Sequence, residues 1–260
     1  MADASYFLIL SLRRCGSTFL SFLLNEQNDV FCDYEFVKRD AEYLKENHVP
    51  IVGDDFSFLS RIRDLAGAQL CCGSKVTIPE YQVNELGQII GSISREPIKI
   101  VHLVRKLSHQ YISLKAAKQS NVWHVVDRTN DKADETHWSK DADGYICKNK
   151  ERQRSNAHKF VFEADEINEF CQHVTTIDEA LADLSKTQPY LQVRYDEIER
   201  RFVNILQFVG GPQKSVEIKN VGKTEKVINV PHEQLVENWD DVAPIFEDWE
   251  RKRDKKLGLY

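Results

Sequence analysis

Three observations predict a three-layer α/β fold, with a central parallel sheet flanked by helices. The segments "YFLILSL" (6–12) and "IKIVHLV" (98–104) are dense in branched aliphatics, the composition of strands buried on both faces. Helical patterns separate these from further strand candidates, and that alternation implies parallel pairing through right-handed crossovers. The chain has 260 residues, 42% hydrophobic and 29% charged, enough for one large α/β domain over 1–260 with a substantial core.

Each element has its own signal. After the first strand, a turn with one glycine leads into a helical pattern at 17–26. Helical patterns follow at about 56–66 and 79–92, around the strand candidate "QLCCGSKVTI" (69–78). After "IKIVHLV" comes a helix at 106–119, and a long one at 163–186 precedes the strand "YLQVRY" (190–195). A last helical pattern at 196–209 ends before Gly210 and Gly211, and the tail closes on the charged, helical "WDDVAPIFEDWERKRDKKLG". The stretch 121–158 breaks the rhythm: it is polar, rich in Asp-containing turns and without periodicity. A loop this long inside a domain is usually a lid or substrate-binding insertion, or else disordered.

Composition narrows the function. A formal net charge of −6 argues against general binding to nucleic acid or anionic membranes, both of which need a broad basic face. The run at 6–12 is too short for a membrane span or a signal peptide, so a cytoplasmic protein with reduced thiols is expected. The six cysteines form no C-x-x-C pair, and no local zinc signature is present. Adjacent Cys71 and Cys72 read as small apolar residues on opposite faces of a strand.

In such sheets ligands sit beyond the carboxyl ends of the strands, so the residues just after each strand matter most. After the first come Arg14, Cys15, Gly16, Ser17, Thr18 and Phe19. Gly16 permits close backbone approach, and the first N–H groups of the following helix point at an anion. Ser17 and Thr18 can add hydroxyl donors, and Arg14 a charge-assisted fork. The competing reading is an ordinary helix start with Ser17 as its N-cap. A triphosphate-binding loop would carry a second glycine and a lysine, and neither is here. After "IKIVHLV" comes Arg105, with Ser113 eight residues on, a pair that can grip one phosphate from two sides.

"RRCGSTFL" and "LVRKLSHQYISL" together resemble the sulfotransferases that use 3′-phosphoadenosine 5′-phosphosulfate, and most closely the bacterial carbohydrate sulfotransferases of the trehalose type. "NVWH" and the later "VRYDEIERRFVNILQFVGGP" fit the same pattern, so the resemblance covers roughly 5–125 and 188–212. It implies the sulfotransferase version of the nucleotide-kinase-like fold, the donor's 5′-phosphosulfate in the loop Arg14–Phe19, and its 3′-phosphate on Arg105 and Ser113. The product would be 3′,5′-ADP, no metal would be required, and a homodimer would be a common arrangement. In the trehalose-type relatives a glutamate is the catalytic base, and Glu35 in "VFCDYEFV" (30–37) falls at that place, with Asp33 as the alternative. A solvated loop carboxylate is the plainer reading of Glu35. Relatives also place a lysine in a "G-x-K" strand, where Lys75 stands here; a lysine snorkelling from a strand end is the plainer reading.

The acceptor implied is a carbohydrate or other small hydroxyl compound. Trp123 and His124 are substrate-contact candidates, and Trp138 and Tyr145 could stack on a sugar ring or simply anchor the insertion. His102 is expected inside its strand and packed. The basic segment "NVGKTEKV" (220–227) is a candidate cover for the 3′-phosphate. Two other classes stay open: a nucleotide kinase, which would need magnesium, and a nucleotide-binding protein of the same fold without catalysis.

Overall fold

A computed structural model describes residues 5–27, 29–34, 71–78, 87, 90–91, 93–95, 97–120, 124–126, 146–147, 159–211, 224–225 and 231–259. The chain forms two compact units, one of residues 1–105 with 176–219 and the other of 106–175 with 220–260.

The first unit carries a five-stranded sheet, parallel throughout: β1 (Ser5–Leu12), β2 (Val30–Tyr34), β3 (Cys71–Ile78), β4 (Lys99–Val104) and β7 (Tyr190–Arg194). Their order across the sheet is β2-β3-β1-β4-β7. Phe7, Leu8, Ile9 and Leu10 of the central strand are wholly buried, as a strand covered on both faces must be. Helix α1 (Ser17–Asn25) packs on β2 and β3, and α4 (Ile198–Val209) packs on β1, β4 and β7. The direction of winding reverses at β1: the chain leaves it for β2 on one side, then crosses it from β3 to β4 on the other. The carboxyl ends of β1 and β4 therefore flank the topological switch point, where open α/β sheets bind ligands.

Most of these elements follow the sequence reading. β2 does not: "VFCDY" reads as a segment returning to the sheet, and its strand character appears only in the ladder that pairs Val30 to Tyr34 with Cys71 to Lys75. The helical pattern at 56–66 lies outside the described residues, as does most of that at 79–92. The helix read at 163–186 is α3 (Ala164–Ala182) followed by a 3-10 turn, Asp183–Lys186.

His102 is packed within β4, as the strand pattern implies, and it is fully buried among polar partners. Its Nε2 donates to Asp178 Oδ1 at 3.1 Å, and the Tyr190 hydroxyl lies 2.6 Å from its Nδ1. Burial and, secondly, the nearby Asp178 push the Tyr190 phenol well above its ordinary range. The phenol therefore keeps its proton and donates it to the ring nitrogen. This satisfied network answers for a histidine at the centre of a sheet, since an unpaired buried polar group would be costly.

The second unit contains α2 (Leu107–Ser120), α5 (Trp239–Leu257) and a small sheet of β5 (His124–Val126), β6 (Ile146–Cys147) and β8 (Thr224–Glu225) in the order β6-β5-β8. Tyr111 of α2 packs against Phe162, Phe170 and Phe246, and its hydroxyl donates to Glu166 at 3.0 Å. The start of α2 is capped from α5: the Leu107 N–H donates to Glu250 Oε2 at 2.9 Å. The other oxygen of Glu250 accepts from Arg253, a side chain with no exposed surface, at 3.2 Å. A carboxylate on the first N–H groups of a helix satisfies both an orphan donor and the helix dipole.

Candidate active site

The loop after β1 has an unusual backbone. Arg14 has φ 67°, and among the described residues it alone holds the left-handed region without being glycine. That conformation costs an L-residue roughly 1–2 kcal/mol, and such strain gathers at functional sites. Gly16 follows with φ 89° and forms the N-cap of α1. Ser17 is thus the first residue inside the helix, and its expected capping role falls to Gly16. No side chain caps α1 and no acidic residue stands in its first turn, so the N–H groups of Ser17, Thr18 and Phe19 have no intrahelical acceptor.

Side chains from the two strands beside β1 meet this loop. Arg105, just after β4, donates from Nη1 to the Arg14 carbonyl at 2.9 Å, which joins the two sequence motifs physically. The Arg14 guanidinium is pushed down to about 10, first by burial and then by the positive charge of Arg105. It stays charged at neutral pH, so two desolvated cations converge at the switch point. Arg105 is pushed down as well, again chiefly by burial. Bringing like charges together in a partly dry place is unfavourable unless an anion comes between them.

Lys75 is the third contributor. It is 4% exposed on β3, and its Nζ donates to the Thr18 hydroxyl at 3.0 Å. The snorkelling alternative does not hold, because the ammonium turns inward to the loop. The Thr18 oxygen accepts this bond and keeps its own hydrogen to donate onward.

Asp33 lies inside β2, beside Ser74 in the ladder, and is buried at 7% exposure. It is thus a carboxylate within the sheet rather than in a solvated loop. Cys15 is buried and fills the loop, its Sγ 4.0 Å from the Arg13 carbonyl. Phe19 is half-buried on α1. Burial pushes the thiols of Cys32 and Cys71 up to about 12, so both are unreactive. No disulfide joins Cys15, Cys32, Cys71, Cys72 or Cys171.

Ser113 lies in the second unit, buried on α2. His124 begins β5, whose backbone pairs with β6 on one side and with Thr224–Glu225 on the other. The polar insertion and the basic segment of the tail are therefore joined in one small sheet. Glu35, Trp123, Trp138 and Tyr145 lie outside the described residues. Among the described residues, no group of three or more His, Cys, Asp or Glu is placed to hold a metal ion, and no helix is long and apolar enough to cross a membrane.

Sequence reasoning missed Tyr195. It opens the 3-10 turn Tyr195–Glu197 directly after β7, and its ring lies against Gly16 and under the Arg105 guanidinium. A tyrosine immediately after a parallel strand was the available signal, by the same rule that drew attention to Arg14 and Arg105.

Comparison with solved structures agrees with this architecture. The chain is similar to a sulfotransferase from Alicyclobacillus acidocaldarius, with a TM-score of 0.50 and 11% identity over 99% of this chain and 97% of that one. Other similar structures are the sulfotransferase domain of a Synechococcus olefin synthase (TM-score 0.47, 13% identity, 97% and 95% covered) and a mouse sulfotransferase complexed with PAP (TM-score 0.44, 12% identity, 100% and 86% covered). No protein-family model matches the sequence, and no curated protein does either. The fold is that of a sulfotransferase, at an identity that speaks for the fold alone.

Proposed function

We propose that this protein is a sulfotransferase that moves a sulfuryl group from 3′-phosphoadenosine 5′-phosphosulfate to a hydroxyl of a carbohydrate or other small acceptor. The observation that carries the reading is the convergence of Arg14 and Arg105 on the strained, uncapped loop before α1. Such a cradle suits a leaving phosphate that gains charge as the sulfur–oxygen bond breaks. In the reading, the loop from Arg14 to Phe19 holds the 5′-phosphosulfate, and Arg105 with Ser113 holds the 3′-phosphate.

The acceptor oxygen attacks sulfur as the bond to the phosphate oxygen breaks, and the acceptor's proton passes to a carboxylate. Glu35 is the proposed base and Asp33 the alternative, a role worth about 10²–10⁴-fold in rate. Lys75, bonded to Thr18, supplies a cation to the loop from β3 in place of the loop lysine that the sequence lacks. Trp123 and His124 are proposed to meet the acceptor. A magnesium-dependent kinase fits less well: the Thr18 oxygen that would ligate the metal already accepts from an ammonium, which repels a second cation there.

The test is calorimetric titration with adenosine 3′,5′-bisphosphate, with 5′-AMP and ATP as controls, without magnesium. Micromolar binding selective for the 3′-phosphate is expected, and a preference for ATP that needs magnesium would refute the reading. Arg105→Ala should weaken the bisphosphate by roughly 10–100-fold, the worth of a charge-assisted contact, and 5′-AMP only a few-fold. Equal losses for both would remove Arg105 from the 3′-phosphate. For the base, Glu35→Gln should abolish most turnover with donor binding unchanged. If Asp33→Asn does this instead, the base is Asp33.

A further inference from the structure

Tyr195 belongs to neither of the motifs that suggest the donor site, yet it touches both. A Cβ built on Gly16 would come within 2.2 Å and 2.4 Å of Cδ2 and Cε2 of its ring, so the ring occupies the space that glycine leaves open. The Arg105 guanidinium lies over the same ring, its Cζ 4.6 Å from the centroid, within the range of a cation–π contact. From there Arg105 reaches the Arg14 carbonyl with Nη1. One aromatic ring thus braces the glycine of the first motif and the arginine of the second.

The brace has a physical task. Arg105 has a long side chain with much rotamer freedom to lose, and its positive charge and that of Arg14 disfavour each other. Without the ring, the guanidinium would lose the flat surface that it stacks on. A flat ring suits a flat guanidinium, and the stack fixes the plane from which the remaining N–H groups project.

Building on the donor-site reading, we infer that Tyr195 is a positioning residue that orients Arg105 and so sets how strongly the site prefers a nucleotide with a 3′-phosphate. The ring acts, and the hydroxyl is not needed. The effect is one of specificity, because a misaimed Arg105 loses the 3′-phosphate while the loop still holds the 5′-phosphate.

The experiment measures the ratio of dissociation constants for 5′-AMP and adenosine 3′,5′-bisphosphate in the full chain. Tyr195→Phe should keep the ratio within about twofold of the parent, and Tyr195→Leu should lower it about tenfold, as expected for loss of a desolvated cation–π contact. With Arg105→Ala already present, Tyr195→Leu should change the ratio less than about twofold, since nothing is left to orient. Arg105→Lys, which keeps the charge but not the plane, should lose most of the ratio, and this variant decides the matter if Tyr195→Leu does not fold.

Several results would overturn the inference. One is a Tyr195→Leu protein that binds both nucleotides equally more weakly, which would make the ring mere packing. Another is a phenylalanine variant as defective as the leucine one, which would make the hydroxyl a ligand contact. A third is an Arg105→Lys protein with the parent's ratio. A parent ratio near one is a separate failure, since it removes the donor-site reading and this inference with it.

Discussion

Replacing Arg253 with leucine is expected to lower the melting temperature by about 10 °C, a loss of stability that reaches well beyond the substituted side chain. Arg253 has no exposed surface, and its Nη2 donates to Glu250 Oε1 at 3.2 Å and to Asp254 Oδ1 at 3.3 Å. Removing one member of such a buried cluster costs about 3–5 kcal/mol, because Glu250 and Asp254 lose the opposite charge of Arg253 while their surroundings stay largely dry. In a domain of this size each kcal/mol is worth about 2–4 °C. The carboxylate left behind is the one that caps α2 through Leu107 N–H, so the damage reaches a second helix. Thermal and urea melts of R253L and of R253L/E250Q check the mechanism. The double variant should recover part of the loss, because its glutamine carries no charge to strand. A leucine variant as stable as the parent would show that the cluster contributes little.

Gly16→Ala is expected to have the largest effect on binding, with at least a tenfold loss of affinity for adenosine 3′,5′-bisphosphate. Two costs combine. The backbone at φ 89° disfavours any L-residue by roughly 1–2 kcal/mol. The new methyl group would also meet the Tyr195 ring at 2.2 Å, a contact that forces the ring or the loop to move. Either movement disturbs Arg105, which stacks on that ring and holds the loop by the Arg14 carbonyl. Because the strain is local, the melting temperature should fall by only a few degrees. Unchanged nucleotide affinity in G16A would mean that the anion does not sit on this loop.

Much of the fold was legible because its signals are local. β1 and β4 are apolar runs of the kind that only a strand covered on both faces tolerates, and they lie within a residue of their expected bounds. The start of α1 was readable from the change from strand pattern to Gly-Ser-Thr and a helical period, although the cap proved to be Gly16 rather than Ser17. β2 was harder. Five residues with an aspartate and a tyrosine carry little strand signal, and the backbone bonds of β3 are what hold them extended. The short strands β5, β6 and β8 are two or three residues long and exist only as partners of one another.

By itself the sequence determined which residues follow the strands: the helix-opening loop with its arginine and glycine, and a second arginine after β4. That is enough to point to an anion and away from a triphosphate, since the chemistry of phosphate binding is written in residue types at short spacing. Only the tertiary structure decided that the two arginines share one place, that Lys75 turns inward to Thr18, and that the Tyr195 ring braces both motifs. The reason is the strand order. Placing β1 between β3 and β4 brings the end of each strand to the same edge, and no local pattern in the chain encodes which ends become neighbours.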